Sequence, residues 1–216
     1  MKRITFACLG ITLLCASSRP AQADGLRFEQ AFDAGEGSGA LHYQASYSAG
    51  GAPHRVEVWR DGDLRVRRRT DDRIEVHATR EAGSAEFAMS VLDLEKRIHT
   101  SVSRGNLYRI GSFTDWFDLA HGLRHPRGAY TLTSIAATAG APASLQPCSW
   151  FELAQNVQAS RICWSQRDRV PMLIVSGGEV VWRITALDRE PFGADIFAIR
   201  DEGYLRNDAN QDIEPD

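Results

Sequence analysis

The sequence lacks the short motifs that mark common catalytic machinery. There is no Gly-x-Ser-x-Gly elbow, no HExxH and no phosphate-binding glycine loop. That removes the usual sequence grounds for a serine hydrolase, a zinc protease or a nucleotide enzyme. Lysine is almost missing, with Lys2 and Lys96 alone, although arginine is frequent. Beyond the first residues, no apolar run is long enough to cross a bilayer as a helix. Cysteine is scarce too: Cys8 and Cys15 lie in the opening stretch, leaving Cys148 and Cys163. Two thiols cannot build a four-thiolate zinc site.

What is present begins with an export signal. Met1-Lys2-Arg3 is basic, Ile4 to Ala16 is almost wholly apolar, and Ala21-Gln22-Ala23 is a small-x-small cleavage site. Residues 1–23 read as a signal peptide, residues 24–206 as a single β domain and residues 207–216 as an acidic flexible tail. Loss of Lys2, Arg3 and Arg19 with the leader moves the net charge from −3 to −6. An acidic mature chain of this kind is a poor general nucleic-acid binder. In an exported chain the surviving Cys148 and Cys163 are expected to form a disulfide.

Period-two alternation then runs through six short segments separated by turns. They are Leu41–Tyr47, Val56–Val58, Leu64–Val66, Ile74–Ala78, Phe87–Val91 and Ile98–Val102. Turns fall near Gly50-Gly51, at Asp61-Gly62, at Asp71-Asp72, at Gly83-Ser84 and at Leu94-Glu95. Centred there, they pair Val58 with Leu64, Val66 with Val76, Val76 with Val91, and Val91 with Ile98. All four pairings keep one face apolar and leave Arg55, Glu57, Arg65, Arg67, Arg69, Glu75, His77 and His99 on the other. A slip of one residue would exchange the faces. The reading is an antiparallel meander with one dry side and one wet side.

A dry face needs a cover. Ser112 is a natural N-cap with Asp115 three residues on. Phe113, Trp116, Phe117 and Ala120 make one helical stripe, stopped by Gly122 and Pro126. Strands resume at Tyr130, at Ser149–Leu153 and Arg161–Ser165 around Gln155-Asn156, at Met172–Val175 and Glu179–Ala186 around Gly177-Gly178, and at Ile196–Ile199. The whole is a mainly β chain: about ten or eleven antiparallel strands, curved into an unclosed half-barrel and covered by one or two helices.

The candidate chemical groups read mostly as structural. His121 and His125 stand four apart where a helix ends, which favours a solvated terminus over a metal site. His77 and His99 flank Ser90 at about two strand spacings, near 9.6 Å, too far for one zinc ion. Asp208-x-Asn210-x-Asp212 opens like a calcium loop but has Ile213 where glycine is required. No metal and no cofactor is expected. Arg65, Arg67 and Arg69 form a basic stripe, either paired with Glu57 and Glu75 or free to meet an acidic partner or anionic headgroups.

The signal peptide, the long meander and the aromatic cover together resemble the LolA/LolB-like lipoprotein-carrier superfamily, which includes the N-terminal domains of RseB-type sensors. The residues carrying the resemblance are Val56–Val66, Val91–Arg97 and Val170–Ile174. It implies a periplasmic half-barrel whose concave face holds a lipid, an acyl chain or a lipoprotein, without covalent chemistry. On that reading the ligand meets Val56, Val58, Leu64, Val66, Val76, Phe87, Met89, Val91 and Ile98, under Trp116 and Phe117. The alternative uses the same scaffold as a stress-sensor or interaction module. Arg65, Arg67 and Arg69 then contact another envelope protein. An enzyme would need a cleft gathering His121, His125 and carboxylates, and no spacing supplies one.

Overall fold

The computed structural model describes residues 25–32, 39–102, 115–137 and 147–209. The signal peptide, Ser112, Phe113 and residues 210–216 lie outside the described residues. Among the described residues, twelve strands form one unclosed sheet. The first six are β1 (Ala40–Ala49), β2 (Ala52–Asp61), β3 (Arg65–Thr70), β4 (Ile74–Arg80), β5 (Phe87–Asp93) and β6 (Ile98–Val102). A second run holds β7 (Thr131–Ile135), β8 (Ser149–Gln155), β9 (Gln158–Ser165), β10 (Val170–Ser176) and β11 (Glu179–Asp188). The last strand is β12 (Leu205–Asp208). The spatial order is β12-β6-β5-β4-β3-β2-β1-β11-β10-β9-β8-β7. Two meanders therefore meet along β1 and β11.

Only one of the four sequence-based registers holds residue for residue: Val76 faces Val91 and Ala78 faces Met89. The others slip by an even number. Val66 faces Arg60 and Ala78, and Val91 faces Thr100. An even slip keeps every side chain on its face, so the dry-and-wet assignment survives. The cause is turn geometry. The β3–β4 hairpin has Asp71 and Asp72 both at positive φ, 51° and 53°, a two-residue primed turn. The β2–β3 link keeps Leu64 in its turn, so Leu64 is not a face residue and is largely exposed. Near β11, Val175 faces Val180, and a bulge between Ile174 and Val175 sets Trp182 opposite Ile174.

The inner face of the first meander is arranged in cross-strand rows. Leu41, Arg60, Val66, Ala78, Met89 and Val102 are aligned and all buried. Helix α2 (Trp116–His121) contributes Trp116, Leu119 and Ala120 to the same cluster. Its N-cap is Asp115, whose carboxylate accepts from Phe117 N, so the helix starts later than its stripe suggests. Gly122 ends it at φ +68°, as expected for a left-handed C-cap. Helix α1 (Phe28–Phe32) closes a second cluster with Phe117, Leu132, Phe151, Ile162 and Trp164. In β8 and β9, consecutive residues Trp150-Phe151 and Ile162-Cys163-Trp164 are buried, so both faces of the sheet are covered there.

The wet side is not open either. After β11 the chain crosses the outer face as a belt, residues 189–204, with a 3-10 turn at Ala194–Phe197 where a strand was expected. The Ile196 carbonyl there accepts from the Arg67 side chain rather than from a neighbouring strand. The belt ends by delivering β12 to β6 in parallel pairing. Asn207 and Asp208, placed in the tail by composition, are therefore part of the sheet. Cys148 and Cys163 are joined, with Cα atoms 5.4 Å apart.

Candidate functional site

The outer face carries the arginine stripe, and the belt lies over it. Trp59 is its centre. His42 stacks on the indole at 4.9 Å, and the Arg67 and Arg69 guanidiniums lie 4.7 and 5.7 Å from the ring centroid. Arg67 donates to Glu75 Oε2 at 2.7 Å and to the Ile196 carbonyl at 3.1 Å. Arg69 donates to Glu57 Oε2 at 2.9 Å, and Arg65 bonds Asp61 and lies over the Phe197 ring at 4.5 Å. The stripe is thus tied to its own sheet and its own belt. Glu75 and His77, expected on a wet face, are buried and 2.7 Å apart. Burial alone would raise the Glu75 pKa, but hydrogen bonds from His77 and Arg67 outweigh it and hold the carboxyl at about 2. His99 does not face Ser90; it pairs with Leu92 and bonds Asp201 of the belt at 2.7 Å. A small open cleft of about 110 Å³ adjoins the stripe, lined by Gln44, Arg55, Glu57, Arg69, Asp71 and Asp72.

A second cluster is buried on the inner side. Arg60 follows Val56 and Val58 on their face and is 1% exposed. Its guanidinium donates to the carbonyls of Ala120 at 3.0 Å, Asp168 at 2.5 Å and Arg169 at 3.3 Å. It also lies 2.6 Å from His121 Nδ1. The same Nδ1 lies 2.7 Å from the Arg169 carbonyl; the guanidinium can only donate and the carbonyl only accept, so Nδ1 can serve one of the two at a time. Burial, then the Arg60 and Arg169 charges, push His121 well below its ordinary pKa. His121 is 2% exposed, not a solvated terminus, because α2 presses its last turn against the β9–β10 connection. His125 is half-buried against the Phe28 ring and bonds Asp115. Beyond it, Asp168 takes a bidentate bond from Arg189 at 2.7 and 2.9 Å and one from Ser165 at 2.7 Å. This cluster joins β2, α2, the β9–β10 connection and the start of the belt.

The third region is the rest of the inner face. The row Tyr43, Val58, Arg68, Val76, Val91 and Thr100 is buried on β1 and β2 but only half-buried from β3 onward. The next row, Ala45, Val56, Thr70, Ile74, Asp93 and Ile98, shows the same gradient. Of the expected ligand contacts, Val56, Val58, Val66, Phe87, Met89, Trp116 and Phe117 are packed core, whereas Val76, Val91 and Ile98 keep accessible surface.

Sequence reasoning missed Arg60 and Arg68 on the apolar side and Leu92 on the polar side. The signal was present: strict alternation puts Arg60 and Arg68 in step with Val58 and Val66, and Leu92 in step with Ser90. Among the described residues no group of three or more His, Cys, Asp or Glu side chains could hold a metal ion. No helix among them is long and apolar enough to cross a membrane.

The chain matches no family model and no curated protein. Among solved structures it is similar to PNGF-II in two crystal forms, at 8% and 7% identity. Each likeness covers 81% of this chain and 32% of that one, with a TM-score of 0.30. The chain spans about a third of the length of PNGF-II, and at that score the likeness carries no argument about fold or role.

Proposed function

We propose that the protein is an exported binder of an apolar ligand, seated on the inner face of β3 to β6. The observation that carries this reading is the burial gradient. One row of the inner face is sealed beneath α2, while Val76, Val91, Ile74 and Ile98 remain half-accessible beside it. Such a patch gains by covering apolar surface, at about 25 cal/mol per Å² removed from water. Binding of this kind needs no covalent step. The Cys148–Cys163 disulfide supports an oxidising, periplasm-like compartment, in line with the leader. The resemblance to lipoprotein carriers suggests a lipid or acyl chain as cargo.

The test uses the full mature chain. A fluorescent long-chain fatty acid should bind saturably, and Val76→Gln with Val91→Gln should weaken it at least tenfold while circular dichroism is unchanged. No saturable binding, together with no co-purified lipid in native mass spectrometry, would reject the reading.

A further inference from the structure

Arg68 sits at the β3 edge of the half-accessible patch. It belongs to β3 and pairs across the strands with Val58 on one side and Val76 on the other. Its neighbours along β3 on that face are Val66 and Thr70. The arginines around it are engaged elsewhere: Arg65 with Asp61, Arg67 with Glu75, Arg69 with Glu57, and Arg60 with three carbonyls. Arg68 makes no hydrogen bond or ion pair among the described residues and is half-buried on an otherwise largely apolar surface. A half-buried guanidinium flanked across the strands by Val58 and Val76 offers an incoming anionic group a charge-assisted contact beside apolar surface.

We propose that Arg68 receives the carboxylate of a long-chain fatty acid whose hydrocarbon chain lies over Val76, Val91 and Ile98. The proposal rests on the ligand reading above and adds the headgroup. Geometry sets the direction. Arg68 is on β3, and Val76, Val91 and Ile98 follow on β4, β5 and β6. Three strand spacings give roughly 14 Å for the chain to cross, leading away from the head. Among the described residues the acid on this surface is Asp93, on β5 in the adjoining row. It is two strands from Arg68 and bonded by Lys96, 2.9 Å to the backbone N and 3.7 Å to Nζ. The head end is therefore cationic and the far end is not. A single-chain carboxylate fits one charge at one end of one apolar track. A two-chain lipid in a bilayer would have to leave its neighbours to reach a concave face.

The experiment compares palmitate with 1-hexadecanol on the full mature chain, using wild type, Arg68→Met and Arg68→Lys. Wild type should prefer palmitate by about tenfold, the scale of one charge-assisted hydrogen bond. Arg68→Met should bind both equally, with hexadecanol affinity unchanged, and Arg68→Lys should recover part of the preference. Equal binding of the two by wild type overturns the role of Arg68 and leaves the apolar site standing. If neither binds, both fall. Sedimentation with phosphatidylglycerol vesicles separates the sources: capture by vesicles that is lost in Arg68→Met, without palmitate binding, also overturns the proposal in favour of a membrane surface.

Discussion

At the scale of residues, two buried groups control the response to acid. His121 stays neutral in the fold because burial and two arginines exclude its proton. The unfolded chain takes that proton below its ordinary pKa of 6.5, so stability should fall as pH drops beneath that value. Glu75 acts lower down. Its folded pKa of about 2 lies under its ordinary 4.5, so its contribution is whole above 4.5 and disappears as pH falls through 2. Urea titrations from pH 7 to pH 2 should show two successive losses. His121→Gln should remove the upper one and Glu75→Gln the lower one; a single unaltered limb in both variants would contradict the assignment. Arg60 makes a different prediction. Arg60→Met leaves three buried carbonyls without a donor and should cost about 3 kcal/mol or more. Arg60→Lys should rescue little, since an ammonium cannot reproduce the guanidinium fork.

Among the elements, the turns and caps make the sharpest claims. A Cβ at Gly122 would lie 3.0 Å from the Trp182 ring, at a φ of +68° that side chains resist. Gly122→Ala should destabilise by about 1–2 kcal/mol from the backbone alone, with the clash in addition, and a thermal melt would register it. Replacing Cys148 and Cys163 by serine should cost roughly 3 kcal/mol for a loop of this length in the chain-entropy model. An unchanged melting temperature would mean that the β8–β9 hairpin holds without its link. These elements were also the most legible part of the sequence. Alternation and turn residues placed β1 to β6 and their faces, because side-chain direction depends only on parity. Register depends on how many residues each turn consumes, which Asp61-Gly62 or Leu94-Glu95 does not state. The belt was not legible at all. It has no period, and what holds it, such as the Ile196 carbonyl and Asp201, is visible only once the outer face exists.

For the whole molecule, the candidate site was half legible. The alternation that nominated Val76, Val91 and Ile98 also nominated residues that α2 seals, because a pattern reports a face but not which part of it is covered. Nor does a composition count separate Arg68, facing the apolar track, from Arg65, Arg67 and Arg69, which are bound to their own sheet. The stripe's internal pairing has a consequence for stability. Reversing Arg67 to glutamate would set two carboxylates together beneath the belt and should unfold the protein at lower urea, before any loss of partner capture could be measured.

The belt has one more consequence, for the chain as a polymer. β11 lies beside β1 and β12 lies beside β6, so one continuous stretch flanks both sides of the first meander. Bridging them takes roughly 34 Å across seven strand spacings, and residues 189–204 supply that reach. A protease cutting once inside the belt would leave every hydrogen bond of β11 in place. It would nevertheless turn β12 from a tethered neighbour of β6 into a dissociable peptide of four paired residues, and a single nick would thereby convert a closed border into an unsatisfied one.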